Sequence, residues 1–517
     1  MNKIANRTRQ IEAMAEKTGF PVYSEGKNPL ERGKIATPRM ELQKASPKLV
    51  SLEDAIRLSG LKDGMTISFH HHFRSGDKVI NMVVDKLAEM GFKKLHLAAS
   101  SLIDVHEPLI AHIRNGVIFR ISTSGLRGAL GAAISHGLMD EPVIFRSHGG
   151  RAAAIASGDL HIDVAFLGAP SCDPLGNACG YAQNENVKSI CGSLGYAMVD
   201  AQYADKVVIL TDSLVPYPNT PNSISERNVD FVVEVDSIGD AAKISSGAIR
   251  DSKNPRDLLL AQTAAKVVIN GGYFQNGFSI QTGTGGASLA VVKFIREKMI
   301  EKNIKASFAL GGITTHMVKL HEEGLIERLI DVQSFDRGAA ESLINNRMHK
   351  EVSANEYASA LEIGSAVHWL DMVILSALEV DVNFNANVLV GSNGVIRGAI
   401  GGHPDTAAGA ALSIIVCPLL RGRIPCVVDE VTTLITQGTS VDVIVTDYGV
   451  AVNPNRPEIA ERLKAARINI VPINALKEKA RKIIGDADPL PFGEKTVGIV
   501  MNRDGSVMDV IRNIEDK

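Results

Sequence analysis

The stretch Gly277–Met317, GFSIQTGTGGASLAVVKFIREKMIEKNIKASFALGGITTHM, decides the fold. Phe278–Gln281 is a short β-prone run, and Gly283-Thr284-Gly285-Gly286 follows it at once. Leu289, Val292, Ile295 and Met299 then recur close to the spacing of one helical face. A second β-prone run and a second glycine turn complete a strand–turn–helix–strand unit. Glycines between a strand and a helix let backbone N–H groups approach an anion closely. Such a turn cradles a phosphate, a carboxylate or a developing oxyanion, or it is only a tight connection.

Working outward, Gly64–Ser101 has the same plan: strand Met65–Phe69, loop His70–Gly76, helix Asp77–Met90, strand Leu95–Ala99. The agreement in order and length, with little identity, predicts two related α/β halves. Val117–Ser122, Pro142–Phe145, His161–Leu167, Val207–Thr211 and Phe231–Val235 read as further short strands, the signature of a mostly parallel sheet flanked by helices. Binding groups in such sheets gather at the carboxyl ends of the strands. That rule places His70–Arg74, Ser122–Gly125 and Ala169–Gly180 on one rim. The expected divisions are an N-terminal extension over 1–50, a first domain over 51–236, a linker over 237–256 and a second domain over 257–517. Within the second, His368–Leu378 reads as helical, and Arg456–Ala466 and Leu476–Ile484 as closing helices.

Composition narrows the function classes. The chain has 517 residues, 45% apolar and 22% charged, with a net charge of −3. A pI near 6.5 carries no global basic bias toward nucleic acid. No run of 18 apolar residues predicts a membrane span, and the polar N-terminus lacks the apolar core of a secretory signal. Five cysteines in a sparse, odd set fit a reducing cytoplasm. Residues 1–50 hold ten Lys or Arg against five Glu, which reads as a solvated arm or a contact for an acidic partner protein.

Two clusters invite metal or nucleophile readings. Consecutive histidines 70–72 point in different directions, so one metal rarely uses all three. The loop supplies instead one imidazole, such as His72, and Arg74 to an anionic ligand, or is simply polar. Cys172, Cys179 and Cys191 fit no zinc spacing; Cys172 reads as a thiol nucleophile or, like the others, as a packing or loop cysteine. No metal site is expected.

Several blocks in order resemble the CoA-transferase and acetyl-CoA hydrolase superfamily: His161–Gly180 (HIDVAFLGAPSCDPLGNACG), Gly283–Gly286, Gly324–Asp331, Gly391–Asp405 and Val441–Val450 (VDVIVTDYGV). With the N-terminal region, nearly the whole chain resembles the citrate lyase alpha-chain branch. The resemblance implies two CoA-transferase-like α/β domains with the active site between them. It implies a transferase acting in citrate fermentation, which moves the acyl carrier protein thiol from an acetyl-thioester to citrate, giving citryl-thioester and acetate. A separate beta chain then cleaves citryl-thioester to oxaloacetate and acetyl-thioester. The implied partners are citrate, the acetyl-carrier protein (gamma chain) and that beta chain, in an oligomeric complex. No cofactor is expected on this chain, since the CoA-derived group belongs to the carrier.

Departures from the superfamily pattern bear on mechanism. Acetate-type CoA transferases carry a segment close to G-x-H-T-E-M, whose Glu forms the enzyme thioester. The matching segment here resembles Gly312-Ile-Thr-Thr-His316-Met317, with His in place of Glu. The other branch places its Glu in an S-E-N-G turn, and Gly391-Ser392-Asn393-Gly394 again lacks it. Both absences fit direct transfer in a ternary complex. The alternatives are a CoA transferase or CoA-thioester hydrolase with a covalent Glu, for which Glu379 is the candidate, a citramalate lyase alpha chain, and a non-enzymic scaffold.

The chemistry of such a transfer then suggests candidate roles. Backbone N–H groups at Gly285, Gly286, Gly401 and Gly402 stabilise the oxyanion. Gly283, Thr284, Gly285, Gly398 and Gly401 cradle the CoA-derived arm. Arg74, Arg337 and Arg397, with His72 and Asn393, are the candidates to bind citrate, because Arg pairs bidentately with carboxylates; each arginine reads equally as a surface or domain-interface ion pair. His316 orients citrate, protonates the leaving thiolate, or merely packs.

Overall fold

The computed structural model describes residues 3–23, 48–70, 72–181, 187–245, 254–283, 286–485 and 489–515. Thr284 and Gly285 lie outside the described residues, as does much of the basic extension.

Two large sheets organise the chain, and they share one strand order. The first runs Val143–Phe145, Ile118–Thr123, Leu95–Ala99, Thr66–Phe69, Val164–Gly168, Lys206–Thr211, Phe231–Glu234. The second runs His349–Glu351, Ile326–Ser334, Ala306–Ile313, Phe278–Thr282, Met372–Ser376, Leu412–Val416, Val443–Thr446. Counted along the chain within each half, both orders are 4-3-2-1-5-6-7, and every one of these pairings is parallel. The two units first matched in sequence therefore supply the equivalent first strands, Thr66–Phe69 and Phe278–Thr282. Each sheet reverses direction between strands one and five, the switch point outside which an open α/β sheet binds its ligand.

Burial explains the strands. Thr66–Phe69 and Val164–Gly168 lie inside the sheet, with Phe69 and Phe166 stacked at 5.7 Å between centroids. The covering helix Val79–Glu89 buries Val79, Ile80, Val83, Val84 and Leu87 on one face, each contributing about 1.5–3 kcal/mol of apolar transfer. In the second half the helix Gly286–Lys302 buries Val292, Ile295 and Met299 as its spacing predicts; the side chain of Leu289 is outside the described set.

Three expectations need correction. The segment His368–Leu378 is not helical: a single 3-10 turn, Ala366–Trp369, leads into the central strand Met372–Ser376. A strand covered on both faces is a continuous apolar run, which helical periodicity alone does not exclude. The second domain does not extend to 517 as one unit. Phe492–Met501 pairs in parallel with Val143–Phe145, and Val507–Ile514 closes the hairpin, so the C-terminal segment returns to the first sheet. The N-terminal extension begins with a docked helix, Lys3–Thr18, not a solvated arm. Its Ala15 packs with Ile499, Met501 and Val507, and Arg7 pairs with the buried Asp509.

Candidate functional site

The carboxyl ends of both sheets face one cavity of about 660 Å³, within the usual size of a small-molecule site. The first half contributes Arg74 after its first strand, Ser101 after its second, Ser124 and Arg127 after its third, and His148. The second contributes Gln281, Thr282 and Gly283, then Gly312, Gln333 and Phe335, and the segment Arg397–His403.

A backbone seam closes the floor between the halves. Leu126 N–H donates to the Gly398 carbonyl at 3.1 Å, Ile400 N–H to Ser124 at 2.7 Å, and His148 N–H to Gly401 at 2.9 Å. Gly398 is required by this packing, because a methyl there would meet the Val388 carbonyl at 2.0 Å. Gly401 has φ +58°, open to glycine with little strain. Among the described residues the N–H groups of Gly401 and Gly402 have no protein acceptor, and both residues line the cavity.

The cavity is cationic. Arg74, Arg127, Arg397 and Arg421 line it, against Asp104 as the one carboxylate among the described lining residues. Arg74 lies over the Phe335 ring at 4.7 Å, and its buried Nη1 has no hydrogen-bond partner. Burial and the like charge of Arg127 lower the Arg74 pKa to about 10. Arg127 Nε is likewise buried and unpartnered. Unpaired buried guanidinium groups are held at high cost unless an anion satisfies them. Arg421 is braced by the carbonyls of Leu378 and Ala377 at 3.2 and 3.1 Å.

Below the floor lies a buried polar network. Asp200 accepts from Arg151 at 2.9 and 3.0 Å, sits 2.7 Å from His70 Nε2, and bonds Ser68. Burial opposes ionisation of Asp200, yet Arg151 and His70 outweigh it and hold the carboxyl below its usual range. On the cavity side, Gln281 donates to the Tyr357 hydroxyl at 2.9 Å, and its Oε1 is left unpartnered. His403 Nδ1 lies 2.7 Å from Thr436, with Nε2 unpartnered, and burial lowers its pKa to about 4.

Of the residues marked in sequence, Arg74, Gly283, Arg397, Gly398, Gly401 and Gly402 come together around this cavity. Gly286 opens its helix behind Gly283, and is not among the described lining residues. Arg337 stands apart: its side chain is 73% exposed and pairs with Glu341 one turn on. Asn393 is exposed in a turn, accepting from Val395 N–H at 3.3 Å, and that turn packs through Gly394 on Ile514. His72 is buried beneath the floor, 5.5 Å from the His70 ring, and its pKa is pushed well down by burial and by His70. His316 is half-buried in the first turn of Thr315–Glu322 and is not among the described residues that line the cavity. Glu379 does not line the cavity; its Oε1 accepts from Asn387 at 2.9 Å and Thr432 N–H at 2.5 Å. The cysteine expectation also bears on chemistry: Cys179 is buried and its thiol pushed up to about 12, far from a thiolate at neutral pH.

Sequence reasoning missed Arg127, His148, Tyr196, Tyr357, His403 and Arg421. Arg127 lies two residues beyond the marked Ser122–Gly125 loop, so the strand-end rule pointed to its neighbourhood. Tyr196, Tyr357 and Arg421 carried no local pattern, because only the joining of the halves brings them to the cavity.

Residues 46–514 match the family model described as citrate lyase, alpha subunit. The citrate lyase alpha chain of Escherichia coli (strain K12) is 59% identical over 466 residues, 90% of this chain and 91% of that one. A crystal structure of an alpha subunit of citrate lyase from Streptococcus mutans, in complex with citrate, has a TM-score of 0.93 at 55% identity, covering 97% of this chain and 98% of that one. A Pseudomonas malonate decarboxylase hetero-tetramer in complex with malonate shares the fold alone, with a TM-score of 0.64 at 15% identity over 85% of this chain and 87% of that one. With the doubled sheet and the cavity at its joint, these likenesses show that the chain belongs to the citrate lyase alpha-subunit family, of CoA-transferase-like α/β fold.

Proposed function

We propose that the chain transfers the thiol of an acyl carrier protein from acetyl-thioester to citrate by direct attack, without an enzyme-bound thioester. The observation that carries this reading is the charge of the cavity: four arginines and, among the described lining residues, a single carboxylate, Asp104. That set suits a tricarboxylate substrate. The Streptococcus mutans relative crystallised with citrate supports the same choice. Asp104 is exposed, and its charge offsets only part of the burial that lowers the Arg127 pKa.

Citrate then supplies the nucleophile. A citrate carboxylate oxygen attacks the acetyl carbonyl, the C–S bond breaks, and thiolate leaves a mixed anhydride. The thiolate attacks the citryl carbonyl, the C–O bond breaks, and acetate leaves citryl-thioester. No net proton is taken up or released. Each addition places negative charge on a carbonyl oxygen, where the N–H groups of Gly401 and Gly402 are positioned to receive it; one such donor is typically worth about 3–4 kcal/mol. Arg74 and Arg127 hold citrate against the thioester, and that orientation supplies several kcal/mol more. The thioester arm belongs to the carrier protein and enters as substrate. Its acceptor, a beta chain that cleaves citryl-thioester, completes the assembly, in a cytoplasmic compartment where the cysteines stay reduced.

The test incubates the purified chain with acetyl-CoA, as a surrogate for the acetyl-carrier, and citrate, and follows citryl-CoA and acetate by mass spectrometry. Citrate-dependent citryl-CoA without added mass on the protein supports the reading. Hydrolysis without citrate, a CoA adduct on the protein, or preference for citramalate over citrate would replace it.

A further inference from the structure

We infer that His148 is a catalytic residue of this cavity, whose ring N–H joins the amides of Gly401 and Gly402 in holding the oxyanion; the inference rests on the transferase reading above. Three geometric facts carry it. His148 lines the cavity, and a methyl placed on Gly401 would sit 3.5 Å from its Nε2, so that nitrogen faces the same turn as the free amides. Its ring is fixed against Tyr196, with centroids 4.6 Å apart. Its backbone is fixed across the joint: His148 N–H bonds the Gly401 carbonyl, and the next residue, Gly149, donates to Asp405 at 2.9 Å. Gly149 admits no side chain, since a methyl would meet the Ala358 carbonyl at 2.0 Å.

The chemistry of the ring follows from its neighbours. His148 opens the helix His148–Ser157, whose N-terminal dipole disfavours a cation there. Around it stand Arg151, His70 and Tyr196, and Asp405, next to it through the Gly149 amide, is itself taken by Arg503, Ser147 and Gly149. Burial, Arg151 and His70 push the His148 pKa down to about 3. Burial and these neighbours thus favour the neutral ring, which carries one proton on one nitrogen. It donates a hydrogen bond without releasing that proton. The oxyanion's electron pair returns to re-form the carbonyl as thiolate, and later acetate, departs. A cationic imidazole would hold citrate in the ground state as tightly as the transition state; a neutral donor favours the transition state.

The test compares wild type, His148→Phe and His148→Gln in the citrate and acetyl-CoA assay, with melting temperature and citrate binding measured on each. His148→Phe keeps the ring packing on Tyr196 and removes the N–H. The expected result is a fall in kcat of about a hundredfold or more, with KM for citrate, citrate binding and melting temperature near wild type. His148→Gln, which restores an N–H, recovers at least tenfold of that loss. The wild-type kcat shows no ionisation of this residue between pH 5 and 8. If His148→Phe does not fold, His148→Ala replaces it and is read the same way. A kcat within tenfold of wild type overturns the proposal, as does a loss shared with citrate binding and unrecovered by Gln. If wild type itself makes no citryl-CoA, the transferase reading has failed instead.

Discussion

The hydroxyl of Ser147 in the first half donates to the carboxylate of Asp405 in the second at 2.9 Å, with both residues fully buried. Asp405 also accepts from Gly149 N–H at 2.9 Å and from Arg503 Nε at 3.1 Å. One carboxylate thus ties the helix that begins with His148 to the helix His403–Gly409 and to the C-terminal hairpin. Replacing Asp405 with Ala leaves Arg503 and the Gly149 amide without their acceptor. The expected loss of stability is about 3–5 kcal/mol, by analogy with broken buried ion pairs. Denaturant unfolding of D405A, S147A and the double variant checks it: the double loss should be smaller than the sum of the single losses.

Arg74 and Arg127 present unpartnered guanidinium nitrogens to the cavity, whereas Arg337 pairs with Glu341 in solvent. Charge-assisted hydrogen bonds are each worth about 1.5–3 kcal/mol. Arg127→Ala and Arg74→Ala should therefore each weaken citrate binding about ten- to hundredfold. Arg337→Ala should leave it within about twofold. Steady-state KM for citrate, with calorimetric binding as a check, measures the contrast.

Stability should fall in acid through histidines buried in neutral form. His148 titrates at about 3, and His96 and His403 at about 4, against 6.5 for an exposed imidazole. Between those values the unfolded chain binds protons that the folded chain does not. Folding is therefore weakened as pH drops from about 6.5 toward 4, at up to about 1.4 kcal/mol per histidine per pH unit. Glu351 acts in the opposite sense. Burial raises its pKa from 4.5 to about 7, so its share is present below 4.5 and lost as pH rises through 7. Melting temperature should peak near neutrality, and His403→Gln should flatten the acid limb. An acid limb as steep in His403→Gln as in wild type would remove that residue from the explanation.

The doubled fold was legible because it is written locally. Gly64–Ser101 and Gly277–Met317 each carry a complete strand–turn–helix–strand pattern, and those units became the equivalent first strands of two sheets with one order. The glycines of the floor were legible through the family resemblance. The rest depended on long-range assembly. The return of Phe492–Met501 to the first sheet leaves no local mark, since an apolar strand reads alike in either half. Arg337 and Arg397 share a residue type that predicts carboxylate binding, and only tertiary placement sends one to solvent and the other to the cavity. Tyr196 and Tyr357 reach the cavity from helices whose patterns report burial alone.

The central claim is that citrate itself attacks the acetyl carbonyl. A single turnover with the enzyme in excess over acetyl-CoA, using citrate labelled with ¹⁸O in its carboxylates in unlabelled water, tests it most directly. Direct attack predicts that acetate from the first turnover carries one ¹⁸O, because the bridging oxygen of the mixed anhydride leaves with it, and that the protein gains neither label nor CoA mass. Unlabelled acetate in the first turnover, with ¹⁸O or CoA on a protein carboxylate, would contradict the claim.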